Sequence, residues 1–166
     1  SGKVRVEYDL LGKREIPIEA LYGVQSSRGF ENFQISNERQ CDYPNFIKGF
    51  AITKKGAAIA NHKQGLLTDE QFDAICQACD EIYDGKFQDQ FLSDMIQGGA
   101  GTTMNMNANE VIANRGLQIM GKEPGQYEFL SPNDHVNCSQ STNDAYPTAF
   151  HFGLYLESKK LIEALE

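Results

Sequence analysis

The chain has 166 residues, 40% of them hydrophobic and 23% charged, so it is long enough to bury one core of ordinary domain size. Its net charge of −8 and sequence pI near 4.9 exclude the clustered Lys and Arg that nucleic-acid binding needs. No apolar run approaches the ~20 residues that span a bilayer, and no apolar leader core opens the chain, so no membrane partner and a cytoplasmic location are expected. An acidic surface gives no long-range pull on anions, so an anionic ligand needs local, neutral donors.

In chain order, Val4, Val6 and Tyr8 alternate with charged or polar residues and predict a short strand. Residues 9–43 hold no sustained period and contain Gly12, Pro17, Gly23 and Gly29, so they read as loop with short pieces of structure. Pro44 opens a helix whose apolar positions are Phe46, Ile47, Phe50, Ala51 and Ala58, and Gly65 stops it. Thr68 with Gln71 fits a capping box for a second helix. Its buried face runs through Phe72, Ile75, Cys76, Cys79, Ile82 and Tyr83 to the stop at Gly85. The two form a helical hairpin. Cys76 and Cys79 make a CxxC inside that stripe, which favours packed thiols over a metal or redox pair.

Val111, Ile112, Leu117 and Met120 supply the apolar content of a third helix, preceded by an asparagine-rich stretch of Asn105, Asn107 and Asn109, with Asn114 further on. Residues 121–145 read as loop, and Pro147 is expected to open a last helix with Phe150, Leu154, Leu161 and Leu165 on its buried face. That pattern persists to Glu166 without a terminator, which suggests that the natural protein continues.

Two segments do not read as packing. Gly98-Gly99-Ala100-Gly101-Thr102-Thr103 is a glycine-rich turn running into a helix, where free amides and the helix dipole attract anions. The plainer reading is a tight turn with Thr103 as cap. It lacks the Gly-Lys-Ser/Thr ending of a phosphate loop. Residues 131–144, Ser-Pro-Asn-Asp-His-Val-Asn-Cys-Ser-Gln-Ser-Thr-Asn-Asp, are mostly polar yet lie between apolar elements. They read either as a solvated loop with a helix cap or as a cluster of neutral donors for a carboxylate. His135 reads as a base or as a half-buried hydrogen-bonding histidine; His62 and His151 sit in helical patterns as structural residues. The Asp134, His135 and Cys138 grouping falls short of a metal ligand set, so no metal is expected.

These segments carry a resemblance. Gly99 to Arg115 (GAGTTMNMNANEVIANR), Pro132 to Asn137 (PNDHVN) and Gln140 to Thr148 (QSTNDAYPT) resemble conserved regions of the aspartase/fumarase superfamily. Glu7 to Gly12, Tyr22 to Gln25 and Glu31 to Ser36 extend the match over essentially the whole chain. Three features resemble the aspartase branch more than class II fumarase: Gly-Ala-Gly-Thr-Thr where fumarases usually have Gly-Ser-Gly-Thr-Gln, Asp144-Ala145-Tyr146-Pro147, and Ser131 where fumarases carry the histidine of a second dicarboxylate site.

The resemblance implies a mainly α fold: an N-terminal lyase domain over 1–143 with a short β piece, then the start of a long central-bundle helix over 144–166. It implies reversible conversion of L-aspartate to fumarate and ammonia with no organic cofactor, and a homotetramer whose active sites draw on three subunits. By correspondence, Thr102, Ser141, Thr142 and Asn143 are the substrate-binding donors. No catalytic residue falls in this chain, because the family's Gly-Ser-Ser loop with its serine base lies beyond Glu166. The rival readings are class II fumarase and a non-catalytic helical carboxylate-binding module.

Overall fold

The structure is a computed structural model that describes residues 2–166; Ser1 lies outside them. Strands β1 (Val4–Asp9) and β2 (Gly12–Pro17) pair antiparallel, with Val4 opposite Pro17 and Asp9 opposite Gly12. Among the described residues five α-helices follow: α1 (Val24–Asn32), α2 (Pro44–Lys63), α3 (Asp69–Tyr83), α4 (Thr102–Ile119) and α5 (Thr142–Leu165). The fold is therefore mainly α with one small hairpin.

The alternation in β1 forms the predicted strand, but the side turned inward is polar. Val4, Val6 and Tyr8 are exposed while Glu7 is buried. Arg5 donates to the carbonyls of Pro17, Ala20 and Tyr22, and its Nε meets Glu7 Oε1 at 2.8 Å. Glu7 Oε2 accepts from the Val24 amide at 2.9 Å. The hairpin is thus fastened to the start of α1 by hydrogen bonds, with Ile16 on β2 supplying its buried apolar contact. Strand β2 and helix α1 were hidden by the absence of a sustained period in residues 9–43.

Helices α2 and α3 form the expected hairpin. Thr68 Oγ1 accepts from the Gln71 amide and Gln71 Oε1 accepts from the Thr68 amide, each at 3.2 Å, which completes the capping box. Cys79 is buried, Cys76 is half-buried, and both are free thiols, as packing inside a helix requires. Burial pushes both thiols up, which keeps them neutral.

Helix α4 lies at the centre of the fold and is buried on almost every side from Met104 to Leu117. Its apolar residues Met104, Ala108, Val111, Ile112 and Leu117 meet Ile75, Ala78 and Ile82 of α3 and Phe50 of α2 in one core. Helix α5 packs along α2 at glycines. A Cβ on Gly49 would fall 2.0 Å from the Ala149 carbonyl oxygen, and one on Gly153 would fall 2.9 Å from Phe46 Cα. Two backbones this close admit no side chain between them.

The last helix begins at Thr142, earlier than the expected start at Pro147. Ser141 caps it, its Oγ accepting from the Asn143 amide at 3.1 Å. Pro147 stands one turn inside and removes the amide that would bond the Asn143 carbonyl; a helix can absorb this near its start more cheaply than in its middle.

Candidate functional site

Two helix N-termini meet at the segments that the sequence singles out. Helix α4 begins at Thr102, and its cap is Gly101 rather than Thr103. Gly101 holds φ +84°, and a Cβ there would fall 2.2 Å from the Tyr146 ring in the first turns of α5. Only glycine meets both demands. One turn into α4, Asn105 Nδ2 donates to Thr142 Oγ1 at 2.9 Å. These two contacts bring the start of α4 against the start of α5.

The four candidate residues are spent in part. Ser141 Oγ and Thr142 Oγ1 each accept one hydrogen bond, which leaves each hydroxyl proton unassigned. Among the described residues, neither the Thr102 hydroxyl nor the Asn143 side-chain amide has a partner. Gln97 Oε1 takes the Met104 amide at 3.1 Å, while among the described residues the amides of Thr102 and Thr103 have no partner. Thr102, Ser141 and Asn143 are exposed and Thr142 is half-buried. The arrangement offers neutral donors beside two positive helix ends, which can hold a carboxylate without a formal cation at the surface.

His135 is structural in this fold. It sits in a single π-helical turn (Pro132–Val136), and its Nδ1 accepts from the Ser131 amide at 2.8 Å. Burial lowers its pKa. Ser131 caps that turn: its Oγ accepts from the Asp134 amide at 3.1 Å and donates to Asp134 Oδ2 at 3.0 Å. The Ser131 hydroxyl is therefore occupied locally. His62 stacks on Phe72 at 4.3 Å and pairs with Asp69, also a structural role. Among the described residues, no three His, Cys, Asp or Glu side chains gather as a metal set.

The asparagines of α4 are fully buried, and each ties the helix to a loop. Asn107 Nδ2 donates to the Gln90 carbonyl at 3.0 Å. Asn114 Nδ2 donates to the Leu21 carbonyl at 2.7 Å. Asn105 and Asn109 both donate to Asn137 Oδ1 at 3.1 Å. Glu110, also buried, accepts from the amides of Gly23, Gln25 and Ser26 at 2.8, 2.9 and 3.0 Å and from the Ser26 hydroxyl. It caps α1, whose own cap residue is a glycine with no side chain to offer. Burial raises the Glu110 pKa against these hydrogen bonds.

Sequence reasoning missed Lys54. It is fully buried in α2, and its Nζ donates to Asn137 Oδ1 at 3.0 Å and Gln140 Oε1 at 2.9 Å. Among the described residues no carboxylate pairs with it, and burial lowers its pKa to about 7. The available signal was its spacing: Ile47, Phe50, Ala51, Lys54 and Ala58 trace one helical face, so a lysine stands on an otherwise apolar stripe. Asn61, further along that face, donates to the Cys138 carbonyl at 2.8 Å. Helix α2 thus grips the loop leading to the α5 cap at two points.

A family model described as "Lyase" matches residues 12–166. The aspartate ammonia-lyase of Helicobacter pylori is 53% identical over 163 residues, covering 98% of this chain and 35% of that protein. A solved structure from Brucella melitensis, described as a fumarate lyase:delta crystallin bound to cobalt, superposes with a TM-score of 0.96 at 47% identity, covering 98% of this chain and 35% of that one. The class II fumarase of Schistosoma mansoni superposes with a TM-score of 0.85 at 36% identity, over 94% of this chain and 33% of that one. The chain thus spans about a third of the length of the relatives it matches. With a family match over nearly its full length and solved relatives sharing its fold, the chain belongs to the aspartase/fumarase superfamily of lyases.

Proposed function

We propose that this chain supplies one carboxylate-binding wall, made by Thr102, Ser141, Thr142 and Asn143, to a lyase that interconverts L-aspartate with fumarate and ammonia. The observation that carries the reading is the pairing of two helix starts with donors left unspent on all four residues. A base takes the proton from the carbon beside the β-carboxylate, and the electron pair delocalises into that carboxylate as a doubly charged aci-carboxylate. The pair then returns to form the carbon–carbon double bond, and ammonia leaves from the neighbouring carbon. Charge grows on the carboxylate oxygens, so donors aimed there stabilise the intermediate more than the substrate.

The base itself is assigned to the family's Gly-Ser-Ser loop, outside this chain, so the chain alone is expected to be inactive. Residues 1–143 form the lyase domain in this reading, and 144–166 begin the central bundle of a cytoplasmic homotetramer with sites shared by three subunits. Exposed Leu154, Leu161 and Leu165 on α5 support a bundle partner. Among the described residues, no helix is long and apolar enough to cross a membrane.

The class II fumarase reading draws on the Schistosoma mansoni likeness, but the identity to it is lower, at 36%. The test is turnover by the complete natural protein, followed as fumarate formed from aspartate and from malate. Faster release from aspartate is expected; faster release from malate would reject the assignment. No turnover of either, with fumarate still bound, would favour the non-catalytic module. Ammonia release by the 166-residue chain alone should stay at background.

A further inference from the structure

Lys54 is the least economical residue of this fold. A buried lysine without a counter-charge is costly, and a methionine of similar length would fill the space more cheaply. Its ammonium can only donate, whereas every other side chain in the surrounding network is an amide or hydroxyl that can be turned round. That one-way group decides the direction of the rest.

Asn137 must present its oxygen to Lys54, and it does, at 3.0 Å. Its nitrogen then donates to the Gln140 carbonyl at 3.1 Å. Turning this amide over would set a nitrogen against an ammonium and an oxygen against a carbonyl, two repulsive contacts at once. With the Asn137 oxygen fixed, Asn105 must present its nitrogen. That nitrogen carries two protons, one to Asn137 Oδ1 at 3.1 Å and one to Thr142 Oγ1 at 2.9 Å. The Thr142 oxygen is therefore an acceptor on its inner side, and its own proton is free to point outward.

The arrangement leaves a mark. Asn105 Oδ1 is buried with no hydrogen-bond partner. Turning Asn105 over would give that oxygen the Thr142 proton, but it would consume the donor. A buried unsatisfied carbonyl needs a reason to persist, and the direction imposed from Lys54 is one.

We propose that Lys54 is a positioning residue that sets the polarity of the relay Lys54–Asn137–Asn105–Thr142, so that the Thr142 hydroxyl is held as a donor toward a bound carboxylate. This rests on the carboxylate-wall reading. The direction is imposed by the ammonium: a neutral amine keeps two N–H groups for the Asn137 and Gln140 oxygens but gains a lone pair, and it no longer excludes the reversed amide. The titratable group that senses Lys54 is the buried Cys79 thiol of α3, which burial keeps neutral, so no thiolate competes for the ammonium.

The test is a double-mutant cycle in the complete natural protein, with the dissociation constant of fumarate as readout. K54M is expected to weaken fumarate about tenfold in the native background and no more than about twofold in a T142V background, because the donor it orients is already gone. Asn105→Ala cuts the relay at its middle with Lys54 in place, and it should behave the same way. It also carries the cycle if K54M does not fold. Equal losses in both backgrounds would mean that Lys54 acts through general structure, and the proposal would be overturned. Native-like fumarate affinity in T142V alone would instead overturn the carboxylate-wall reading, a separate outcome. A conversion of the loss into kcat alone, with fumarate affinity unchanged, would also reject the relay.

Discussion

Helix α4 and the outer half of α5 invert the usual rule in opposite directions. In α4, Asn105, Asn107, Asn109, Glu110 and Asn114 are buried. In α5, Leu154, Tyr155, Leu161, Ile162 and Leu165 are exposed. Each α4 polar side chain offsets its desolvation through a defined partner, mostly backbone of a loop that has no ladder of its own, although the Asn105 and Asn109 carbonyl oxygens are left without one. The α5 apolar groups stay exposed, with only the Lys159 ammonium over the Tyr155 ring recorded among the described residues, and such a stripe is a candidate surface for covering. One helix organises loops from inside; the other offers a face.

The sharpest way to break the α4 side of this comparison is to remove one polar anchor. Glu110→Ala leaves three amides and a hydroxyl without their acceptor and should destabilise the fold by about 4 kcal/mol, read as a fall in the unfolding midpoint. A loss under about 1 kcal/mol would mean that water replaces the carboxylate and that the anchor is dispensable.

Next comes the site that the anchors support. T142V keeps the shape and deletes the hydroxyl, so it should cost about 3 kcal/mol in kcat/KM of the complete protein, while the Asn105 hydrogen bond it also removes should lower stability by only about 1 kcal/mol. An unaltered kcat/KM would remove Thr142 from the site.

Per pH unit, a smaller effect should appear in pH dependence. The folded Lys54 pKa near 7 lies below the ordinary 10.5, so between those values the unfolded chain binds more protons than the folded one. Stability contributed at this position therefore rises with pH from about 7 toward 10, by at most about 1.4 kcal/mol per pH unit, and the burial penalty is constant below pH 7. Subtracting the K54M curve from the native one isolates this slope. Parallel curves would show that Lys54 is not desolvated as its burial indicates.

The smallest effect belongs to α5. Leu161→Glu should change the stability of the chain's own fold by no more than about 0.5 kcal/mol, since the side chain is 62% exposed, while lowering the assembly state of the complete protein. An unchanged assembly state would leave the exposed stripe without a partner and remove the contrast with α4.

The helical hairpin was legible because its evidence is local. Pro44, Gly65, Thr68 with Gln71, and Gly85 punctuate two periodic stripes, and each mark does in the structure what its chemistry requires. The β1 strand was legible as a strand but not in its facing, because Arg5 and Glu7 are turned inward by partners 10 or more residues away. Helix α1 was invisible for the same reason: its cap is a carboxylate 87 residues downstream of Gly23. The α5 start was misplaced because a proline near a helix start mimics a helix opening, whereas the Ser141 cap lay in a run with several equally good caps.

By itself, then, the sequence determined the helical class, the hairpin, the two polar segments and, through its resemblance, the family and the four candidate donors. Periodicity, caps and motifs are short-range properties, and they survive without a fold. Only the tertiary structure decided that the two polar segments form one place, that α4 lies at the centre with its asparagines inward, and that a lysine from α2 underlies the α5 cap. Those are choices of partner, and a hydrogen bond across 83 residues, as between Lys54 and Asn137, exists only once the chain has closed the distance.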